Sequence, residues 1–258
     1  MSETPLLELR GITKSFGSVQ ALSEVDFEVR DGEVMALVGD NGAGKSTLIK
    51  CVAGIYTIDS GEVLFDGKPV TIHGPKDAGR LGIEVVYQDL ALCDNLDVVQ
   101  NMYLGREAHD ALYRLREPVM EQKTAETLES LSVTTIRSIR QPVATLSGGQ
   151  RQSVAVARAV MWNSRVVILD EPTAALGVAQ TRQVLDLVRR LAEQGLAVVI
   201  VSHNLHDIFE VAHRITVLRL GRDVGVYDRD KTTQQEIVGA ITAGVPTKVA
   251  GIPEEVET

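Results

Sequence analysis

Gly39-Asp40-Asn41-Gly42-Ala43-Gly44-Lys45-Ser46-Thr47 is the stretch around which the rest of the sequence is organised. It fits the phosphate-binding loop pattern G-x-x-x-x-G-K-[ST]. Glycines let a backbone curl tightly and turn successive N–H groups toward one point. A helix starting there adds its free N–H groups and the positive end of its dipole. Lys45 brings a positive charge for β- and γ-phosphates, and the Ser46 hydroxyl suits a place on Mg²⁺. The competing reading is a glycine-rich turn before an ordinary helix. At average residue usage the bare pattern arises by chance in roughly one chain of this length in a hundred. The flanks decide against chance. The apolar run Val34-Met35-Ala36-Leu37-Val38 comes directly before the loop, and Leu48, Ile49, Val52 and Ala53 follow at helical spacing. Strand, loop and helix in that order predict a nucleotide-phosphate site.

Composition bounds what the rest can be. The chain has 258 residues, 44% of them hydrophobic and 4% aromatic, with a formal net charge of −9. That length suits one large domain, and the negative charge argues against nucleic-acid binding through a broad basic surface. The two cysteines, Cys51 and Cys93, lack metal-ligand spacing and are expected to be reduced thiols in a cytosolic protein, with Cys51 buried in the helix after the loop. No signal-like N-terminus and no apolar run near 20 residues is present, so any membrane-spanning part is expected from another chain.

Working outward, Leu6 to Thr13 reads as a strand, Lys14–Gly17 as a turn, and Val25–Val29 as a second, half-buried strand. Asp31-Gly32 is a tight-turn signal, and Ser60 to Gly67 looks like another antiparallel piece. Ile83–Tyr87 is a strand ending at Gln88. From about 96 to 161 the pattern turns helical, with a helix start at Pro118 and a break at Gln141-Pro142, and reads as an inserted helical subdomain. Arg165 to Leu169 is a buried strand ending in Asp170-Glu171-Pro172. A helix over 178–194 stops at Gly195, and Leu196–Val201 is the next buried strand, ending at Ser202-His203. Ile215 to Tyr227 reads as a hairpin about Gly221-Arg222, Thr233 to Ala243 as a helix, and 244–258 as a loosely ordered acidic tail. The expected fold class is therefore α/β: a mostly parallel sheet with flanking helices, an N-terminal antiparallel β subdomain and the helical insertion, in one domain over 1–243.

Several residues join the loop by position. Asp170 and Glu171 end a buried strand, where ligands gather in open α/β sheets. Asp170 can hold Mg²⁺, and Glu171 can polarise the water that attacks a γ-phosphate. Alone, such a pair is as well read as a solvated turn; beside a phosphate loop the catalytic reading is preferred. His203 and Gln88 also follow buried strands. Singly, His203 reads as a structural histidine and Gln88 as an exposed loop residue. At that sheet edge, His203 can hydrogen-bond the γ-phosphate and Gln88 can contact the metal or the water. The most specific run is Leu146-Ser147-Gly148-Gly149-Gln150, a second helix start suited to an anion, with an ordinary serine cap as the plain alternative. Two such helix starts with one lysine loop suggest that two chains share each nucleotide.

Taken in order, Gly39–Thr47, Gln88, Leu146–Gln150, Val166–Glu171 and His203 resemble the ATPase subunit of an ABC transporter over nearly the whole chain. The resemblance implies a head-to-tail dimer with ATP held between the loop of one chain and Ser147-Gly148-Gly149 of the other. It implies Mg²⁺ contacts from Ser46, Gln88 and Asp170, general-base work for Glu171, a γ-phosphate sensor in His203, and adenine stacking on Phe16, which otherwise reads as a core or hairpin aromatic. Gly39-Asp40-Asn41-Gly42-Ala43-Gly44, Val86-Tyr87-Gln88-Asp89 and Ala174-Ala175-Leu176-Gly177 are similar to the simple-sugar importer branch, of ribose, xylose or fructose type. Gly177 departs from the general family pattern, which has an Asp there.

What the resemblance implies for function is ATP-driven sugar import by a homodimer at the cytoplasmic face of the cell membrane. Transmembrane permease subunits would be gripped through Asp89–Gln100 and the helical subdomain, and a separate sugar-binding protein would act indirectly. The alternatives are a soluble ABC-type ATPase, a P-loop kinase or GTPase, and a regulatory subunit without turnover. The absence of a long coiled-coil insertion or basic stripe, the Leu146–Gln150 run, and the intact Glu171 and His203 respectively argue against them.

Overall fold

The computed structural model describes residues 4–244. The acidic tail beyond Gly244 lies outside them. Among the described residues, ten strands form two sheets. The first is antiparallel, in the order β2-β1-β4-β5, from β1 (Leu7–Phe16), β2 (Val19–Val29), β4 (Ser60–Phe65) and β5 (Lys68–Val70). The second has the order β10-β9-β3-β8-β7-β6, from β3 (Val34–Gly39), β6 (Ile83–Val86), β7 (Val166–Asp170), β8 (Ala197–Val201), β9 (Arg214–Arg219) and β10 (Arg222–Asp228). It is parallel except for the β9–β10 hairpin at the edge. The α/β class with an antiparallel sheet and helices is as expected.

The apolar runs build this sheet because both of its faces are covered. Successive strand residues point to opposite sides. Val34, Ala36 and Val38 of β3, with Val167 and Leu169 of β7, join a core with the helices that follow β6 and β7. Met35 and Leu37, with Val166 and Ile168, join a second core under the antiparallel sheet and α1 (Lys45–Val52). Between β6 and β7 the chain forms α3 (Val98–Tyr103), α4 (Glu117–Ser130) and α5 (Gly148–Val160), the last with a marked apolar face. Pro118 is the second residue of α4, as its start signal predicts. α6 (Val178–Glu193) ends before Gly195, whose φ is +92°. α2 (Pro75–Arg80) and α7 (Leu205–Val211) have no counterpart in the sequence reading, and α8 (Gln234–Ala243) is capped by Thr233.

The N-terminal strands run further than their alternation predicts. Lys14 to Phe16, read as a turn, belong to β1, and β2 begins at Val19. The register between them shifts after Leu9, Ile12 and Lys14. Each irregularity resets which side faces the core, so the period-2 pattern breaks while pairing continues.

Candidate functional site

The phosphate loop is fixed by the sheet beneath it. Gly39 ends β3 at φ +154°, and a Cβ there would collide with the Leu218 carbonyl oxygen. Gly44, at φ +106°, starts α1, and a Cβ on it would lie 2.8 Å from Leu22 Cδ2 and 2.9 Å from the Ala21 carbonyl oxygen. These two glycines are required by close approach as well as by φ. The turn between β9 and β10 props the loop from the side. Gly221 N–H donates to the Ala43 carbonyl at 3.0 Å, and Ser23 N–H donates to the Gly221 carbonyl at 2.7 Å. Asp40 rigidifies the outer bend, its Oδ1 accepting from Asn41 N–H at 2.7 Å. No side chain caps α1, so its first N–H groups stay open to a ligand. Lys45 Nζ folds back to donate to the carbonyls of Gly39 at 2.7 Å and Asp40 at 3.1 Å. Asn41, Gly42 and Ser46 are exposed, and Thr47 is half-buried.

Strand register brings the acids to the same edge. Val86 faces Leu169, Asp170 faces Val201, and Leu37 faces Val201 from the other side. Gln88, Asp170, Glu171, His203 and the Gly39–Asp40 corner therefore leave the sheet at one end. Glu171 N–H donates to the Val201 carbonyl at 2.8 Å, while its own φ is +50°, a left-handed conformation that a non-glycine residue adopts at a cost. That strain aims the carboxylate at His203, whose Nδ1 lies 2.9 Å from it. Gln88 is exposed just past β6. A cavity of about 200 Å³ lies between Gly39, Asp40, Ser202 and His203 on one side and Val238 and Ile241 of α8 on the other.

The charges at this edge are partly desolvated. Burial holds the Asp170 carboxyl above its ordinary range, Glu171 adds to that, and Lys45 and Lys50 oppose it. Burial lowers the Lys45 ammonium, against the attraction of Glu171, Asp170 and Asp40. Both shifts describe a site poised for charge from outside. Ser46, Asp170 and Gln88 offer a hydroxyl, a carboxylate and an amide oxygen, the hard donors that suit Mg²⁺. Among the described residues no group of three or more His, Cys, Asp or Glu side chains could hold a metal alone. The donor set thus fits a cation that shares its coordination with phosphates and water.

Phe16 is 43% exposed at the end of β1, which removes the core reading of this ring. Its edge meets Tyr56, with ring centroids 5.0 Å apart. Asp59 fixes the segment, accepting from Lys14 Nζ and Ser15 N–H, each at 2.6 Å. Tyr56 and Asp59 were not singled out in the sequence; a lone aromatic and a lone acid after a helix carry no local signal.

The Ser147-Gly148-Gly149 turn sits on different elements. Ser147 caps α5 reciprocally with Gln150: Ser147 N–H donates to Gln150 Oε1 at 2.9 Å, and Gln150 N–H to Ser147 Oγ at 3.4 Å. Gln150 Nε2 also donates to the Thr135 carbonyl at 2.6 Å. A Cβ on Gly148 would come 2.8 Å from Leu176 Cδ2, and one on Gly149 would come 3.2 Å from Gln180 Cβ. The loop glycines thus pack on β2 and β9, and the Ser147–Gly149 turn on the start of α6.

Three anchors were missed in the sequence. Asn101, fully buried in α3, holds the loop after Gln88: its Oδ1 accepts from Cys93 N–H at 2.7 Å, and its Nδ2 donates to the Cys93 carbonyl at 3.0 Å. Arg158 donates to the carbonyls of Leu90 at 2.8 Å and Ala91 at 2.9 Å. Thr173 Oγ1 donates to Asp207 Oδ2 at 2.7 Å in a buried pair that joins the segment after Glu171 to α7. Arg158 and Thr173 act on partners far away in sequence, and Asn101 on loop backbone eight residues before it. Cys51 is buried and free, its thiol pushed up by burial to about 11.

Comparison with known proteins agrees with this geometry. The ABC transporter family matches residues 22–174. The chain is 45% identical to the fructose import ATP-binding protein FrcA of Rhizobium meliloti, covering 94% of this chain and 95% of that one. It is 46% identical to the xylose/arabinose import ATP-binding protein XylG of Sulfolobus acidocaldarius, covering 95% and 96%. A bacterial ABC transporter cassette solved as a dimer superposes with a TM-score of 0.72 at 25% identity, covering 86% of this chain and 98% of that one. With the loop, the acids and the Ser147–Gly149 helix start in place on that fold, the chain belongs to the ABC transporter family, as one of its ATPase cassettes.

Proposed function

We propose that this chain powers uptake of a simple sugar by binding and hydrolysing ATP between two copies of itself. One observation carries the reading: Gly39–Thr47, Gln88, Asp170, Glu171 and His203 share one sheet edge, while the Ser147–Gly149 turn rests on α6. A site with one cation-bearing loop and a separate, outward helix start is half of a shared site. Two chains placed head to tail complete two of them.

The roles follow from chemistry. Phe16 offers an exposed ring face for the adenine. The N–H groups at Gly42–Thr47 and the start of α1 hold the phosphates, and Lys45 turns from the loop carbonyls to the β- and γ-oxygens. Mg²⁺ held by Ser46 and Asp170, with Gln88, would neutralise charge on those oxygens. Glu171 accepts the proton of the attacking water. His203, already against the Glu171 carboxylate, orients that water and contacts the γ-phosphate. ATP closes the dimer because its γ-phosphate has contacts in both chains, and hydrolysis removes the bridge.

The permease would dock on the loop 89–96 and the adjoining helices, on the cytoplasmic face of the membrane. Support comes from the clamps on that loop, Asn101 and Arg158, beside a cavity of about 170 Å³ lined by Val86, Met102, Leu104, Arg106 and Trp162. No helix among the described residues is long and apolar enough to cross a membrane. The sugar class rests on the near full-length relatives described as fructose and xylose/arabinose import proteins; a separate sugar-binding protein would deliver the cargo. The test is uptake of a labelled sugar panel with Lys45→Ala replacing the native chain. Loss of uptake for one or a few sugars is expected. Unchanged uptake, with the variant expressed and inactive as an ATPase, overturns sugar import and leaves the cassette.

A further inference from the structure

β1 reaches past the strand beside it. Its pairing with β4 ends at Thr13, which faces Ser60, the first residue of β4. Beyond that point Lys14, Ser15 and Phe16 pair with β2. A strand end with one open edge frays readily, because its outward backbone groups lack partners. Asp59 closes that edge. Its N–H donates to the Thr13 carbonyl at 2.9 Å, and its carboxylate accepts from Lys14 Nζ and Ser15 N–H, each at 2.6 Å. The bonds from Lys14 and Ser15 hold that carboxyl below its ordinary range, so it stays charged. Tyr56 acts from the other end of the same segment. Ile55 N–H and Tyr56 N–H both donate to the Lys50 carbonyl, at 2.8 and 3.1 Å, which ties Tyr56 to the last turn of α1. The Tyr56 ring packs on the core beneath the antiparallel sheet and meets Phe16 edge-on, the ring planes 71° apart. Lys14 Nζ lies over the Phe16 ring and Lys50 Nζ over the Tyr56 ring, each 5.6 Å from the centroid.

We propose that Asp59 and Tyr56 are positioning residues for Phe16, and that the segment Ile55–Asp59 sets the spacing between the base platform and the phosphate loop. The segment is bonded to α1 at one end and to β1 at the other. α1 begins at Lys45, so the groups that meet the phosphates and the ring that meets the base are referred to one frame. Lys14 over the Phe16 ring and Tyr56 against it restrict the ring's rotamers, while 43% of Phe16 stays exposed for a flat purine to stack on. A ring fixed in advance loses less freedom when a base settles on it, so affinity for the nucleotide rises without any new contact to the phosphates. The inference rests on the proposed stacking of adenine on Phe16.

The experiment uses the full chain and compares two probes, MgATP and magnesium tripolyphosphate, which carries the phosphates without the base. Phe16→Ala should weaken ATP binding about tenfold, the scale of one lost base–aromatic stack. Asp59→Ala and Tyr56→Ala should each weaken it about fivefold, with tripolyphosphate binding kept within about twofold in every variant. Tyr56→Phe should restore native binding. Phe16→Ala combined with Asp59→Ala should bind ATP no more weakly than Phe16→Ala alone, because Asp59 acts through that ring. In hydrolysis, Asp59→Ala should raise KM for ATP by the factor seen in binding and leave kcat nearly unchanged. Thermal unfolding checks that each variant is folded. Where Asp59→Ala is not, Asp59→Asn takes its place, keeping an acceptor for Ser15 N–H and losing the charge that holds Lys14, with a smaller effect of the same sign. Equal weakening of ATP and tripolyphosphate by the Asp59 and Tyr56 variants, no weakening of either, or additive losses in the double variant overturns this inference alone. Phe16→Ala that leaves ATP binding unchanged overturns adenine stacking, and the inference with it.

Discussion

Two glycine-rich helix starts, those of α1 and α5, are held in different ways. The Gly39–Gly44 loop is held mainly by backbone. The Leu218 and Ala21 carbonyl oxygens, with Leu22 Cδ2, leave no room for a Cβ at Gly39 and Gly44, and Gly221 N–H donates to the Ala43 carbonyl. The Ser147–Gly149 turn is locked by side chains: its own cap with Gln150, and packing against Leu176 and Gln180. Backbone contacts between sheet strands have little room to yield. A leucine methyl can rotate away at modest cost. The loop is thus held more rigidly than the Ser147–Gly149 turn, which under the proposed function is the part that meets a second copy.

The largest effect that would sharpen this contrast is on chemistry. Lys45→Ala should reduce ATPase activity on the order of 10²–10³-fold, the scale of losing one preorganised electrostatic contact, and should weaken ATP binding by the single chain. Ser147→Ala should leave single-chain binding intact and act only where two chains meet. Steady-state hydrolysis and analogue binding separate the two; equal loss of single-chain binding would break the contrast. Stability gives the next test. Gly39→Ala must push Leu218 aside and should cost about 1–3 kcal/mol, whereas Gly148→Ala, facing a movable methyl, should cost less than about 1 kcal/mol. Chemical denaturation of both reads this directly. Ser147→Ala should cost about 0.5 kcal/mol, the low end for a helix cap, because its bond to Gln150 N–H is long at 3.4 Å.

The smallest expected effect concerns pH. Asp170 is held above its ordinary range, so between the ordinary and the raised value the folded chain binds more protons than the unfolded one. Stability of the nucleotide-free protein should therefore fall as pH rises through that raised value, while magnesium-dependent activity grows. Asp170→Asn should melt slightly higher than the native chain at neutral pH without nucleotide, and lose the stabilisation that MgATP confers. A thermal scan at several pH values, with and without MgATP, checks both halves.

The strands of the large sheet were legible because burial on both faces leaves an unbroken apolar run at each of Val34–Val38, Val166–Leu169 and Ala197–Val201. The phosphate loop and the Ser147 cap were legible because their residue types answer local geometry. The N-terminal strands were read short, since register shifts after Leu9, Ile12 and Lys14 break the alternation. Short helices such as Leu205–Val211 lie below the length at which periodicity speaks. Arg158 and the Thr173–Asp207 pair were unreadable because their partners are distant in sequence, and Asn101 because its partners are backbone groups of an irregular loop eight or fewer residues away.

Sequence alone determined the α/β class, the loop, and which residue types could serve a nucleotide, since strand burial and helix starts depend on neighbours a few positions away. Only the tertiary structure decided that Glu171 and His203 touch, that Gly221 props the loop, and that Leu176 and Gln180 pack against the Ser147–Gly149 turn. Those contacts are set by strand order and register, which join segments that no local pattern relates.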